Sequence, residues 1–150
     1  MLRCRIHNML VHIYTDGAAR GNPGPAGIGV VIKNENKVLL EVADYIGKTT
    51  NNIAEYMALI RALEEAIDMG HKSVEAFADS ELMVKQVNGE YKVKNEGLLP
   101  LYLHLRSLIK KFNHFSLTHT PRESNIHADK LANKGIDDAT LKNSPLFDKM

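Results

Sequence analysis

The sequence predicts an α/β fold in which a single mixed sheet carries helices on its faces. Three β-patterned runs precede the first helical period, helical and β signals then alternate, and no linker, low-complexity segment or repeat interrupts them. The chain has 150 residues, 44% of them hydrophobic, with 19 Lys and Arg against 18 Asp and Glu. That length suits one domain. The composition excludes a disordered acidic or basic tail protein.

The elements follow in order. Leu10 to Asp16 alternates Val11, Ile13 and Thr15 with His12, Tyr14 and Asp16, a strand pattern. Gly27 to Lys33 and Lys37 to Ile46 are β-branched runs around the polar turn Asn34-Glu35-Asn36. Tight connections make these three strands mostly antiparallel. Ile53 to Met69 carries Ile53, Met57, Ile60, Leu63 and Ile67 at helical spacing and stops at Gly70, a C-cap signal. A short strand is predicted at Ser73 to Ala78, a helix from Ser80 to Val87, and a second amphipathic helix from Leu98 to Phe112 with Pro100 in its first turn. Phe115 to His119 reads as the last strand, and Ser124 to Lys134 as a helix stopped by Gly135. The domain is therefore expected over residues 10–136, after an N-terminal extension at 1–9 and before a loosely held tail at 137–150.

No apolar run approaches the ~18 residues of a membrane span, and MLRCRIHN has no signal-peptide core. The lone Cys4 forms neither an internal disulfide nor a zinc knuckle, which fits a reducing compartment. Chemistry here falls to oxygen and nitrogen side chains. Net charge near zero argues against a polyanionic partner, but the sum conceals a local excess. Between Lys85 and His119 there are six basic residues (Lys85, Lys92, Lys94, Arg106, Lys110, Lys111) against Glu90 and Glu96, which is also what a solvated helix face looks like.

The informative residues are four acids at element ends. Asp16 closes the first strand before Gly17, where an Asp-Gly turn is the simpler explanation; the loop DGAARGNPGPAG is long for that. Glu55 resembles the far member of a capping box begun at Asn52, yet it shares a helical stripe with Leu59, Ala62 and Ala66. A carboxylate on an apolar stripe needs a partner or a cation. Asp79 ends the fourth strand, where helix capping would also explain it, and Asp129 lies one turn into the last helix, where the dipole favours any acid. If the first and fourth strands pair in parallel, Asp16 and Asp79 are neighbours at carboxyl ends, where open α/β sheets gather their ligands. Helices starting at Asn52 and Asn125 would bring the other two acids to that edge. Four converging carboxylates repel one another unless cations neutralise them, and an all-oxygen set selects hard ions, Mg²⁺ or Mn²⁺. Two such ions suit phosphodiester hydrolysis.

Four blocks in order hold these acids: Asp16-Gly17 with Gly21-Asn22-Pro23-Gly24; Thr49-Thr50-Asn51-Asn52-Ile53-Ala54-Glu55; Asp79-Ser80-Glu81-Leu82 with Val84 and Gln86; and Pro121-Arg122-Glu123 with Asn125, Ala128-Asp129 and Leu131-Ala132. In them the chain resembles type 1 ribonuclease H, the compact branch of bacteria and archaea, from about Leu10 to Gly135. The resemblance implies a five-stranded mixed sheet of order 3-2-1-4-5 with strand 2 antiparallel, and endonucleolytic cleavage of the RNA strand of RNA–DNA hybrids. It implies that Asp16, Glu55, Asp79 and Asp129 hold two divalent ions, that Asp16 is shared between them and that Glu55 also meets the 2′-OH. Products would carry 5′-phosphate and 3′-hydroxyl ends.

The resemblance also makes Asn22, Asn51, Asn52 and Gln86 contacts to the hybrid, Thr50 a phosphate contact on the DNA strand, and His119 a loop imidazole for proton transfer or product departure. Arg122 suits a phosphate on the same loop. Turn and cap chemistry is the competing explanation for the amides, and a strand end is the competing one for His119. Two departures stand out: the segment between Gln86 and Leu98 is too short for a basic protrusion, and the chain has no Trp. The expectation is a cytoplasmic monomer that binds an RNA–DNA hybrid and no membrane. Two alternatives stay open: a binding module of this fold without turnover, and the same chemistry on double-stranded RNA.

Overall fold

The computed structural model describes residues 9–142; the expectations for residues 1–8 and 143–150 lie outside the described residues. The elements are β1 (Leu10–Ala19), β2 (Gly24–Asn34), β3 (Lys37–Thr49), α1 (Asn51–Asp68), β4 (Ser73–Ala78), α2 (Glu81–Val87), α3 (Leu99–Ile109), β5 (His114–His119), a 3₁₀ turn (Arg122–Ser124) and α4 (Ile126–Lys142). The sheet order is β3-β2-β1-β4-β5. β2 runs antiparallel to β1 and β3, whereas β4 is parallel to both β1 and β5. This is the predicted arrangement. Among the described residues no helix is long and apolar enough to cross a membrane.

Alternation decides which helix packs where. Val11 and Ile13 of β1, Val30 and Ile32 of β2, and Val74 and Ala76 of β4 are fully buried and share one core cluster with Tyr56, Leu59 and Leu63 of α1 and Leu105 of α3. Burying each large apolar side chain contributes roughly 1.5–3 kcal/mol, so this face is the main source of stability. Gly27 and Gly29 of β2 lie on the other face, against α4. A Cβ on Gly29 would fall 2.0 Å from the Ala128 carbonyl oxygen, so only glycine lets the helix come this close.

Several expected element ends need correction: β1 does not close at Asp16 but stays paired with β2 to Ala19, so β2 begins at Gly24 rather than Gly27, and β3 continues past Ile46 to Thr49. α4 does not stop at Gly135 but runs on to Lys142, and Ile136, assigned to the first residues after the helix, is 1% exposed and part of the core. α4 therefore continues past residue 136, where the domain was expected to end. Gly135 has a different purpose, because a Cβ there would lie 2.6 Å from the Asp44 backbone of β3. Gly70, in contrast, does end α1 with φ 87°, and the following amide of His71 bonds back to the Ala66 carbonyl. α3 is shorter than expected and ends at Ile109, although Phe112 still packs into the core.

Candidate active site

The local explanations offered for two of the acids do not hold in the structure. The cap of α1 is Thr50, whose Oγ1 accepts from the Ile53 amide at 3.3 Å, so Asn52 and Glu55 form no capping box. Ser80, not Asp79, caps α2, accepting from the Met83 amide at 3.3 Å. Both carboxylates are thereby free for another role.

They meet because backbones approach closely. The last paired residues of β1 and β4 are Thr15 and Ala78, so Asp16 and Asp79 follow them side by side at the carboxyl ends of parallel strands. A Cβ on Gly17 would lie 2.2–2.3 Å from the backbone of Ala54 and Glu55; its absence lets α1 cross β1 there. The Gly17 amide then donates to Glu55 Oε1 at 3.2 Å. From the opposite face, the Gly29 contact sets the first turns of α4 beside Asp16, which pairs with Gly29 across the sheet. Asp16, Glu55, Asp79 and Asp129 line one open cleft of about 320 Å³, together with Asn51 and Arg122. All four predicted acids are brought together.

The electrostatics are those of a site built for a cation. Asp16 is 5% exposed and Glu55 3%. Burial, and next the charge of Asp79, push the Asp16 carboxyl from 3.8 up to about 7. Burial, and next the adjoining Asp16, hold Glu55 well above the ordinary carboxylate range. Glu55 Oε2 is buried without a hydrogen-bond partner among the described residues. One oxygen from each of Asp16, Glu55 and Asp79 lies within 4.8 Å of the others. Oxygen donors, an orphaned buried acceptor and mutual repulsion fit a hard divalent metal ion.

A second polar cleft of about 290 Å³ adjoins the first beyond Asn51, lined by Asn22, Thr50, Asn52, Ile53, Asn95 and Leu98. Asn22 Oδ1 accepts from the Asn51 amide at 3.2 Å, and Asn51 Oδ1 from the Ala19 amide at 3.3 Å, which ties the β1–β2 loop to the start of α1. Asn95 was not singled out from the sequence. Its Oδ1 accepts from the amides of Gly97 and Leu98, so in the sequence it looks like any turn asparagine. Asn125, behind Asp79, was visible as a helix-start residue and a member of the fourth block, with no role assigned to it.

Two predicted residues sit outside these clefts. Gln86 is buried, and its Oε1 accepts from the Tyr56 hydroxyl at 2.7 Å, which leaves only its NH₂ for a ligand. His119 is exposed at the end of β5, in electrostatic contact with Glu81. The short connection after α2 carries Tyr91, 49% exposed, with the Lys85 ammonium 5.1 Å from its ring centre. Of the basic stretch, Lys85 is already paired with Glu81 and Arg106 donates to the Val87 carbonyl.

The family model described as reverse transcriptase-like matches residues 14–135. A ribonuclease HI of Halobacterium salinarum is 45% identical over 130 residues, which are 86% of this chain and 65% of that protein. A ribonuclease H of Pseudomonas fluorescens is 33% identical, covering 85% of this chain and 93% of its own length. The chain belongs to the ribonuclease H family. Solved ribonuclease H structures agree: the crystal structure of the Halobacterium ribonuclease H1 superposes with a TM-score of 0.83 over 86% of this chain and 98% of that one. The LC11 ribonuclease H1 in complex with an RNA/DNA hybrid is 48% identical, with a TM-score of 0.82 over 87% and 99% of the two chains. The chain spans about two thirds of the curated Halobacterium ribonuclease and 36% of a mycobacterial bifunctional protein to which it is 42% identical.

Proposed function

We propose that this chain is a metal-dependent endoribonuclease that hydrolyses the RNA strand of RNA–DNA hybrids, leaving 5′-phosphate and 3′-hydroxyl ends. The observation that carries this reading is the group of Asp16 and Glu55, both buried, with half-buried Asp79, whose like charges demand a cation, in a cleft flanked through Asn51 by a neutral one. A binding module without turnover gains nothing from acids clustered where phosphates must lie. In this reading Asp16, Glu55, Asp79 and Asp129 hold two Mg²⁺ or Mn²⁺ ions. When bound, such a pair lowers the pKa of water and stabilises a departing 3′ oxygen.

The chain's own residues do the rest. Glu55 faces the 2′-OH that distinguishes RNA from DNA, and Asn22, Asn51 and Asn52 follow the minor groove, where hybrids are read by shape and hydroxyls. Thr50 and Asn95 receive the DNA strand, Arg122 meets a phosphate from the rim of the acidic cleft, and Gln86 offers its remaining NH₂. His119 assists proton transfer or product departure from the end of β5. Cytoplasmic location, in keeping with a lone cysteine, and a monomeric state belong to the same proposal.

End-labelled RNA–DNA, RNA–RNA and DNA–DNA duplexes incubated with Mg²⁺ or Mn²⁺ test it. The hybrid is cut by the wild type, and Asp79→Asn lowers the rate by about 10²–10³-fold, the scale of losing one charge-stabilising group. Equal cleavage by the variant, or intact hybrid with both metals, overturns the proposal; cleavage of RNA–RNA in preference to the hybrid reassigns the substrate.

A further inference from the structure

Asn125 immediately precedes α4, where an asparagine ordinarily turns its side-chain oxygen to the first free amides of the helix. Here the side chain does something else. Asn125 is 1% exposed, and its Oδ1 is buried with no hydrogen-bond partner among the described residues. Its Nδ2 instead donates to the Thr15 carbonyl at 2.8 Å and to Asp79 Oδ2 at 3.1 Å. Leaving a buried carboxamide oxygen unmatched costs about 1–3 kcal/mol, and helix formation alone gives no reason to accept that cost.

The two acceptors explain it. Thr15 is the residue before Asp16, and Asp79 follows Ala78, the β4 partner of Thr15. The Asn125 carbonyl also receives the Asp129 amide at 3.1 Å, starting the helix that carries the fourth acid. One residue thus touches the backbone beside one acid, the side chain of a second and the helical turn of a third. We propose that Asn125 is a positioning residue for the metal-binding carboxylates, holding Asp79 by one oxygen so that the group is assembled before any ion arrives. A neutral donor is the side chain this task requires. Aspartate there would add another acid, and lysine or arginine would compete with the metal for Asp79. The inference rests on the reading of Asp79 as a metal ligand.

Asn125→Asp separates this role from capping, since it keeps the size and a cap-competent oxygen but removes both donated bonds; Asn125→Ala repeats the loss without adding charge. Calorimetric titration of the protein alone with Mn²⁺ is expected to show binding weakened about tenfold or more in both variants, as for other groups that orient metal ligands. The Mn²⁺ requirement for hybrid cleavage shifts by the same factor, while KM for the hybrid stays within about twofold, because the neighbouring polar cleft is untouched. Unchanged Mn²⁺ affinity and metal requirement in folded variants, even with a lowered Tm, overturn the positioning role. A wild type that binds no Mn²⁺ overturns the reading of the site as well.

Discussion

In the acid-lined cleft, Asp16 and Glu55 are buried side by side and both resist ionisation, whereas in the adjoining cleft the lining residues are neutral. There, Asn22, Thr50 and Asn95 each accept from a nearby backbone amide. The first cleft is held together by the packing around it against its own repulsion. The second is self-sufficient, because Asn22, Thr50 and Asn95 also close a turn or start a helix. Substitutions should therefore act in opposite senses in the two places. An acid removed from the first relieves the fold and costs function; a cap removed from the second costs the fold directly.

The largest effect is expected where the first cleft depends on bare backbone contact. Gly17→Ala sets a methyl group 2.2 Å from the Ala54 backbone, so α1 must move. A loss of about 3 kcal/mol in chemical denaturation, with hybrid cleavage lost as well, is expected; a stable, active Gly17→Ala would show that the close approach does not assemble the cleft.

Next comes the pH dependence of the metal-free protein. Asp16 goes from 3.8 unfolded to about 7 folded, and Glu55 is raised too. Between about pH 4 and pH 7 the native state therefore binds more protons than the unfolded one, and stability falls as pH rises through that window. In EDTA, Tm should be higher at pH 5 than at pH 8, with Mg²⁺ or Mn²⁺ restoring it at pH 8. Glu55→Gln should flatten the slope and raise the metal-free Tm at pH 8. A metal-free Tm that climbs with pH would mean that the cleft does not bear the repulsion described. The smallest effect is Thr50→Ala, about 1 kcal/mol of lost capping in the second cleft with the pH slope unchanged.

The same contrast explains what the sequence discloses. The four acids were legible because the blocks around them were ordered and three of them sat near a strand or helix end, whereas Asp16 lies inside β1 where its pairing with β4 stops, and burial of Glu55 followed from its apolar stripe. Their local excuses, a capping box at Asn52 and an N-cap at Asp79, were plausible and wrong by two residues and one residue respectively, since Thr50 and Ser80 do the capping. Gly135 misled because a glycine that stops a helix and one that lets a helix lie on a strand are the same letter. Asn95 was passed over, and Asn125 given no role, for a related reason. A neutral amide in a loop carries no sign of whether it serves the chain or the site, and only the atoms it bonds decide.

The pairing of β1 with β4 has a consequence for when activity appears. Asp16 and Asp79 become neighbours only after a connection that includes β2, β3 and α1 has folded, and Asp129 lies on the last described helix. Closing so long a connection costs entropy, and folds rich in such contacts form slowly. A nascent chain emerging from the ribosome therefore holds its acids apart through most of its synthesis. On the proposed reading it gains nuclease activity only when α4 docks, so fragments truncated before that helix should leave RNA–DNA hybrids uncut.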